Sequence, residues 1–169
     1  DLGDEAVATM EAMNVAPPVT ARDDGYVQDR SSQWVAAAVG ATAGERVLDV
    51  CAAPGGKATG MAARRGIDGA YVVAADRSPA RAGLVADNVR RLGAQVSVVV
   101  ADGTRPPYAP ASFDRVLLDA PCSGLGALRR RPDARWRVES STIDELVTLQ
   151  RSLLAASAPL VRPGGTLVY

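Results

Sequence analysis

Histidine is absent from this 169-residue chain. That excludes a Ser-His-Asp or Cys-His nucleophile and a zinc deaminase centre with its His ligand. Cysteine occurs twice, as Cys51 and Cys122. Two are too few for a structural zinc site, and the spacing is not that of a redox pair. Two free thiols suit a reducing cytoplasm. No apolar run approaches the roughly 18 residues of a membrane span. The start carries Asp1, Asp4 and Glu5 without a basic-then-apolar pattern, so no signal peptide is expected. A starting Met is lacking too, and a fragment or processed chain is the expectation. Lysine is nearly absent: of 19 cationic residues, 18 are Arg and one is Lys57. A compact ammonium at that one place differs from the planar guanidinium used elsewhere, although one such count carries no role.

What is present reads as an ordinary globular chain. Hydrophobic residues make up 47% and charged residues 22%. The length suits one domain that buries its core without a staple. Net charge is zero, which argues neither for nor against nucleic acid. The distribution is uneven. Residues 129–137 (RRRPDARWR) hold five Arg against one Asp, whereas the first eleven residues hold four acids and no base.

Residues 1–13 read as a weak helix ended by Pro17 and Pro18, and 21–25 as a loop. Residues 1–30 are taken as a lead-in, and 31–169 as the domain. A short helix over Trp34 to Val39 closes at Gly40. A strand over Arg46 to Cys51 follows, bounded by glycine and Pro54-Gly55-Gly56. The expected order is then a helix from Lys57 to Arg65 ended by Gly66, and a strand from Ala70 to Ala75. The next helix is capped by Ser78, with Pro79 at its first position. It places Leu84, Val85, Asn88, Val89 and Leu92 on one face and stops at Gly93. Strands over Val96 to Val100 and Arg115 to Leu118 come next. Thr142 with Glu145 reads as a capping box. It opens a helix bearing Ile143, Leu146, Val147, Leu153 and Leu154, ended by Pro163-Gly164-Gly165. Thr166 to Tyr169 reads as a fifth strand. Wholly apolar strands alternating with helices imply an α/β fold: a mostly parallel sheet with helices on both faces. No internal repeat is present.

Ligands of such sheets sit outside the carboxyl ends of the strands. After the first strand comes Cys51-Ala52-Ala53-Pro54-Gly55-Gly56-Lys57. Its glycines admit a ligand close to the backbone. A phosphate loop requires Gly where Cys51 stands and Ser or Thr where Ala58 stands, so ATP or GTP is disfavoured. The order Gly55, Gly56, Gly60 also matches G-x-G-x-x-G poorly. A methyl-donor loop, facing the carboxylate and ribose of S-adenosylmethionine, is the remaining reading. Asp76 ends the second strand, 20 residues past Gly56, where an acid can accept from ribose hydroxyls. Asp102 ends the third strand, near an adenine amino group, and Asp119 ends the fourth. One such acid is commonplace as a cap or surface charge; three on successive strands form a ligand site.

Cys122 lies in Asp119-Ala-Pro-Cys-Ser-Gly124 on the same edge. A thiolate there suits pyrimidine chemistry, in which sulfur adds to carbon 6 and carbon 5 becomes nucleophilic. Cys51 ends an apolar strand and reads as a small buried hydrophobe.

LDVCAAPGGK (48–57), LLDAPCSG (117–124) and RRRPDARWR (129–137) together resemble the Sun/Fmu-type (RsmB-type, NSUN-related) RNA cytosine-C5 methyltransferases. GYVQDRSSQ (25–33) and LVRPGGTLVY (160–169) look like further family elements, so the resemblance runs from about Gly25 to the last residue. It implies a Rossmann-like class I methyltransferase domain. Cys51 to Lys57 would surround the methyl donor. Asp76 would hold its ribose, Asp102 would lie by its adenine, and Asp119 would line the cofactor and cytosine pocket. Cys122 would be the motif cysteine that helps release the methylated product. The family's nucleophile is a second cysteine, in a Thr-Cys-Ser element directly after the strand that ends in Tyr. The chain stops at Tyr169, so that position and strands six and seven are not in it. A fragment that binds cofactor but methylates poorly alone is the expectation.

The family acts on RNA, typically ribosomal. Arg129, Arg130, Arg131 and Arg135 would contact phosphates, and Trp136 would stack on a base or else anchor the loop in the core. Alanine at 129–131 is expected to weaken RNA binding and flatten its salt dependence. No metal and no membrane contact are expected. Two other classes stay open: a nicotinamide-dependent dehydrogenase on the same sheet, and a non-catalytic RNA-binding module.

Overall fold

Five short segments become five parallel strands: β1 (Arg46–Asp49), β2 (Tyr71–Asp76), β3 (Val96–Val100), β4 (Phe113–Leu117) and β5 (Val161–Val168). Their order in the sheet is β3-β2-β1-β4-β5. The chain thus winds outward from β1 in both directions, and a crevice opens above the carboxyl end of β1. This computed structural model describes residues 3–15, 18–62, 69–128, 130 and 132–169.

Alternation along the strands produces two cores. On β1, Val47 faces one side and Leu48 the other; on β2, Val72 and Ala74 oppose Val73 and Ala75. The first face packs against α2 (Arg30–Val39), α3 (Gly56–Met61) and α4 (Pro79–Leu92), through Val39, Ala58, Met61 and Val85. The second packs against α6 (Ser140–Ser157), through Leu153, and the one-turn α5 (Ala134–Arg137) precedes α6. Both faces are covered, as wholly apolar strands require. Leu48 is fully buried between β2 and β4. Leu48→Ala is expected to cost about 2–5 kcal/mol, read as a lower urea midpoint.

The helix signals hold at several ends. Gly40 and Gly93 close α2 and α4 in the left-handed conformation, and Ser78 caps α4 by accepting from the Arg81 N–H. Other expectations need correction. The capping box does not form: α6 begins at Ser140, because the Ile143 N–H already bonds to the Glu139 carbonyl and places Thr142 inside the first turn. Pro163-Gly164-Gly165 does not end that helix. Pro159 lies in the 3-10 turn Ala158–Leu160 that follows it, and the two glycines lie within β5. There the register with β4 shifts between Phe113 and Arg115. A Cβ on Gly165 would stand 2.5 Å from the Asp114 carbonyl oxygen, so only glycine lets the strands close. The α4 stripe is Ala82, Val85 and Val89, and Leu84 is exposed because it lies off that stripe. Ile143 and Val147 of α6 are likewise exposed. The α3 helix ends at Met61, and residues 63–68, where its end was expected, lie outside the described residues.

Ahead of α2 stand α1 (Ala6–Asn14) and a small hairpin over residues 20–28, bridged between Ala21 and Val27. The hairpin packs onto the glycine loop. Arg22 donates to the Gly56 carbonyl and, at 3.1 Å, to Thr59 Oγ1. The Tyr26 ring receives the guanidiniums of Arg22 and Arg91 at 4.8 and 5.4 Å. Among the described residues, no helix is long and apolar enough to cross a membrane.

Candidate active site

The carboxyl ends of β1, β2, β3 and β4 deliver Cys51, Asp76, Asp102 and Asp119 to one edge of the sheet. Two cavities occupy that edge, and both are lined by Cys51.

The first cavity, about 270 Å³, lies over β2 and β3. Asp76 and Asp102 line it on one side, and Val50, Pro121, Leu149 and Leu153 wall it with apolar surface. The Asp76 side chain is nearly buried. Its Oδ1 accepts the Ser78 N–H at 3.0 Å, and its Oδ2 accepts Arg81 Nε at 3.1 Å. A carboxylate offers about four lone-pair sites, so acceptor capacity remains for hydroxyls. Asp102 Oδ1 takes both the N–H and the hydroxyl of Thr104, at 2.9 and 2.7 Å. These bonds hold the Asp102 carboxyl below the usual carboxylate range. A Cβ on Gly103 would meet Val50 Cγ1 and Leu153 Cδ2 at 2.7 and 2.8 Å. Glycine there lets β3's end close on the cavity wall.

The second cavity, about 230 Å³, lies over β1 and β4. Ala52, Ala53, Pro54, Gly56, Lys57 and Asp119 line it beside Gln28 and Asp49. Gly55 has φ of 101°, and a Cβ on Gly56 would stand 2.8 Å from the Tyr26 ring. Both positions demand glycine. Lys57 Nζ donates to Asp119 Oδ2 at 2.6 Å. The single lysine therefore spans from the glycine loop to the end of β4. Gly55 and Gly56 are further tied down by Thr59, whose hydroxyl donates to the Gly55 carbonyl at 2.8 Å.

Asp49 is the residue that sequence reading missed. It is 1% exposed, and neither carboxylate oxygen has a hydrogen-bond partner. Burial, then the Asp119 charge, raises it to about 7, while the Lys57 ammonium pulls it down. The Cys51 N–H gives a weaker opposing pull without meeting normal hydrogen-bond geometry. Gln28 Oε1 in the same cavity is also buried and unpartnered. Two orphaned acceptor groups beside one cavity call for a donor from a ligand. The signal in the sequence was an acid inside an apolar strand. Leu149 and Gly103 were missed as well: the first sits one turn before Leu153, the second directly follows Asp102.

Cys51 is only partly exposed. Burial, then the Asp49 charge, pushes its thiol up to about 12, so it stays protonated at neutral pH and acts as a small apolar wall. Cys122 is exposed, in the loop after β4. Gln150 of α6 donates to the Pro121 carbonyl at 2.7 Å and fixes that loop. Cys122 lines neither cavity. Of the expected RNA contacts, Arg130 pairs with Asp29 and Trp136 is 83% exposed, so Trp136 is no core anchor. Arg129 and Arg131 lie outside the described residues, as does the side chain of Arg135. Among the described residues, no group of three His, Cys, Asp or Glu could hold a metal ion.

A glycine loop after β1, acids at the ends of β2 and β3, and this strand order define a Rossmann-like methyltransferase domain. The donor set fits S-adenosylmethionine: an apolar slot with two acids for an adenosine, and orphaned acceptors for an ammonium. The family of 16S rRNA methyltransferases RsmB/F matches residues 36–169, and the chain belongs to it. Relatives include the ribosomal RNA small subunit methyltransferase B of Salmonella paratyphi B, 45% identical over 85% of this chain. That of Sodalis glossinidius is 43% identical over 87%. The chain spans about a third of these relatives, 33% and 34% of their lengths. A solved structure of NSun6 from Pyrococcus horikoshii with SFG, an S-adenosylmethionine analogue, superposes with a TM-score of 0.75 at 32% identity, covering 85% of this chain and 37% of that one. The chain's family is one of S-adenosylmethionine-dependent methyltransferases.

Proposed function

We propose that this chain is the cofactor-binding core of an enzyme that methylates carbon 5 of cytosine in RNA, with small-subunit ribosomal RNA as substrate. The observation that carries the reading is the pair of cavities meeting at Cys51. One is built for an adenosine, and the other holds Lys57 and Asp119 within reach of the same loop. Both relatives named above are ribosomal RNA methyltransferases by name.

Asp76 accepts from the ribose hydroxyls and Asp102 from the adenine amino group, with Pro121, Leu149 and Leu153 covering the base. Asp49 and Gln28 accept from the α-ammonium of the amino-acid end. When bound, S-adenosylmethionine supplies an electrophilic methyl group on a sulfonium. Cytosine carbon 5 is a weak nucleophile. A cysteine thiolate adding to carbon 6 moves the ring electrons onto carbon 5, and after methyl transfer loss of the carbon 5 proton expels the thiolate. Asp119, held by Lys57, positions the cytosine through its exocyclic amino group. Cys122, on the loop above β4, serves the release step.

Methyl transfer to small-subunit rRNA by the gene's complete product, followed by digestion to nucleosides, tests this. The expected product is 5-methylcytidine. Cys122→Ala is expected to slow turnover at least about tenfold, as loss of a general acid–base or leaving-group aid does, with donor binding unchanged. A methyl on a ribose oxygen or exocyclic nitrogen overturns the carbon 5 assignment. An unchanged rate removes Cys122 from the chemistry.

A further inference from the structure

A third cavity, about 620 Å³, shares no lining residue with the cavity over β2 and β3. It lies between the start of α2, the foot of the 20–28 hairpin and the 3-10 turn Leu125–Ala127. Trp34 stands in its wall and is 66% exposed. Arg30 is four residues earlier on α2, so the two side chains share one helix face. Arg30 has no ion-pair partner among the described residues. Across the cavity Arg130 pairs with Asp29, which also caps α2 by accepting the Ser31 N–H at 2.8 Å. The Arg130 side chain stays 38% exposed, so its guanidinium remains open to a second anion.

The position of the cavity matters as much as its lining. Asp29 and Ser32 line both this cavity and the one holding Lys57 and Asp119. A strand laid along the first therefore leads directly into the second. The wall pairs an exposed indole with two guanidiniums, and Thr20, Ser31 and Ser32 add hydroxyls. A π-face for a base with cations for the backbone is how single-stranded nucleic acid is held. A groove for a protein segment would instead offer a desolvated apolar pocket for an anchor residue.

We propose that this groove holds the single-stranded RNA that flanks the target cytosine, with a base stacked on Trp34 and phosphates on Arg30 and Arg130. The inference rests on the RNA reading above and adds the track by which the substrate arrives. Trp34 contributes a sequence-tolerant platform, and Arg30 neutralises phosphate without reading bases.

Fluorescence anisotropy of a labelled, unstructured ribo-oligonucleotide tests this, with the full chain, Trp34→Ala, Trp34→Phe and Arg30→Ala. Calorimetric binding of S-adenosylmethionine by each variant serves as the check that the fold and the donor site are intact. Trp34→Ala is expected to weaken RNA binding by about tenfold, and Trp34→Phe to keep most of the affinity. Arg30→Ala is expected to lower the slope of log K against log salt by about one. Wild-type RNA affinity and slope in both alanine variants would overturn the groove and leave it to a protein segment. A wild-type chain that binds S-adenosylmethionine but no RNA would overturn the RNA reading, and the groove with it.

Discussion

Asp49→Asn is expected to stabilise the folded chain above neutral pH while weakening its hold on the methyl donor. The sign follows from burial. An unfolded aspartate ionises near 3.8, whereas folding raises Asp49 to about 7. Below pH 3.8 both states hold the proton, and the contribution to stability is complete. Between those values the unfolded chain has lost a proton that the folded chain keeps, so stability falls as pH rises and levels off above about 7. The loss is bounded at about 4 kcal/mol. Asparagine removes it, so the variant's urea midpoint changes little from pH 5 to pH 8 on this account, while the wild type drops. Carboxyls held low, such as Glu45 at about 2 beside Arg115, lose their contribution only in stronger acid and leave this window clear. The donor's ammonium then meets an amide instead of a carboxylate, and binding is expected to fall about tenfold or more. A variant that binds as the wild type and shows the same pH dependence would remove Asp49 from both roles. On the proposed reading, the cation that satisfies this buried carboxyl belongs to the ligand.

Asp76→Ala is expected to weaken S-adenosylmethionine binding by about a hundredfold or more. Hydrogen bonds to a charged acceptor contribute roughly 1.5–3 kcal/mol each, and a ribose offers two hydroxyls. Asp76 is nearly buried at the end of β2 and has Arg81 and the Ser78 N–H already in place to orient it. These bonds hold the carboxylate in place in advance, so the loss is expected to fall on affinity. Asp76→Asn keeps one acceptor and is expected to fall between. Equilibrium dialysis with labelled donor measures both. An Asp76→Ala variant within threefold of the wild type would place the ribose elsewhere.

Much of the candidate site is legible in the sequence because its placement follows a local rule. Apolar runs bounded by glycine mark strands, and the residue after each strand lies on the ligand edge whatever the packing. Asp76, Asp102, Asp119 and the loop Cys51–Lys57 follow from that rule alone. What escaped depends on tertiary contacts. Leu149 becomes a cavity wall only because α6 packs on the second core, beside Val50. Arg22 and Tyr26 become a clasp on the glycine loop only because the hairpin folds back over it, and nothing in the run ARDDGYVQ shows that. Asp49 carried a local signal, an acid between Leu48 and Val50, but its missing partners are visible only once every neighbour is placed. The Pro163-Gly164-Gly165 error has the same origin. Those residues look like a helix stop, yet the close approach of β5 to Asp114 is what requires glycine there.

Calorimetric titration of the chain with S-adenosylmethionine tests the central claim most directly. Saturable one-to-one binding is expected, with proton release at pH 6 as the donor's ammonium ionises Asp49. A folded sample that takes up no S-adenosylmethionine, or that binds a nicotinamide dinucleotide in its place, would contradict it.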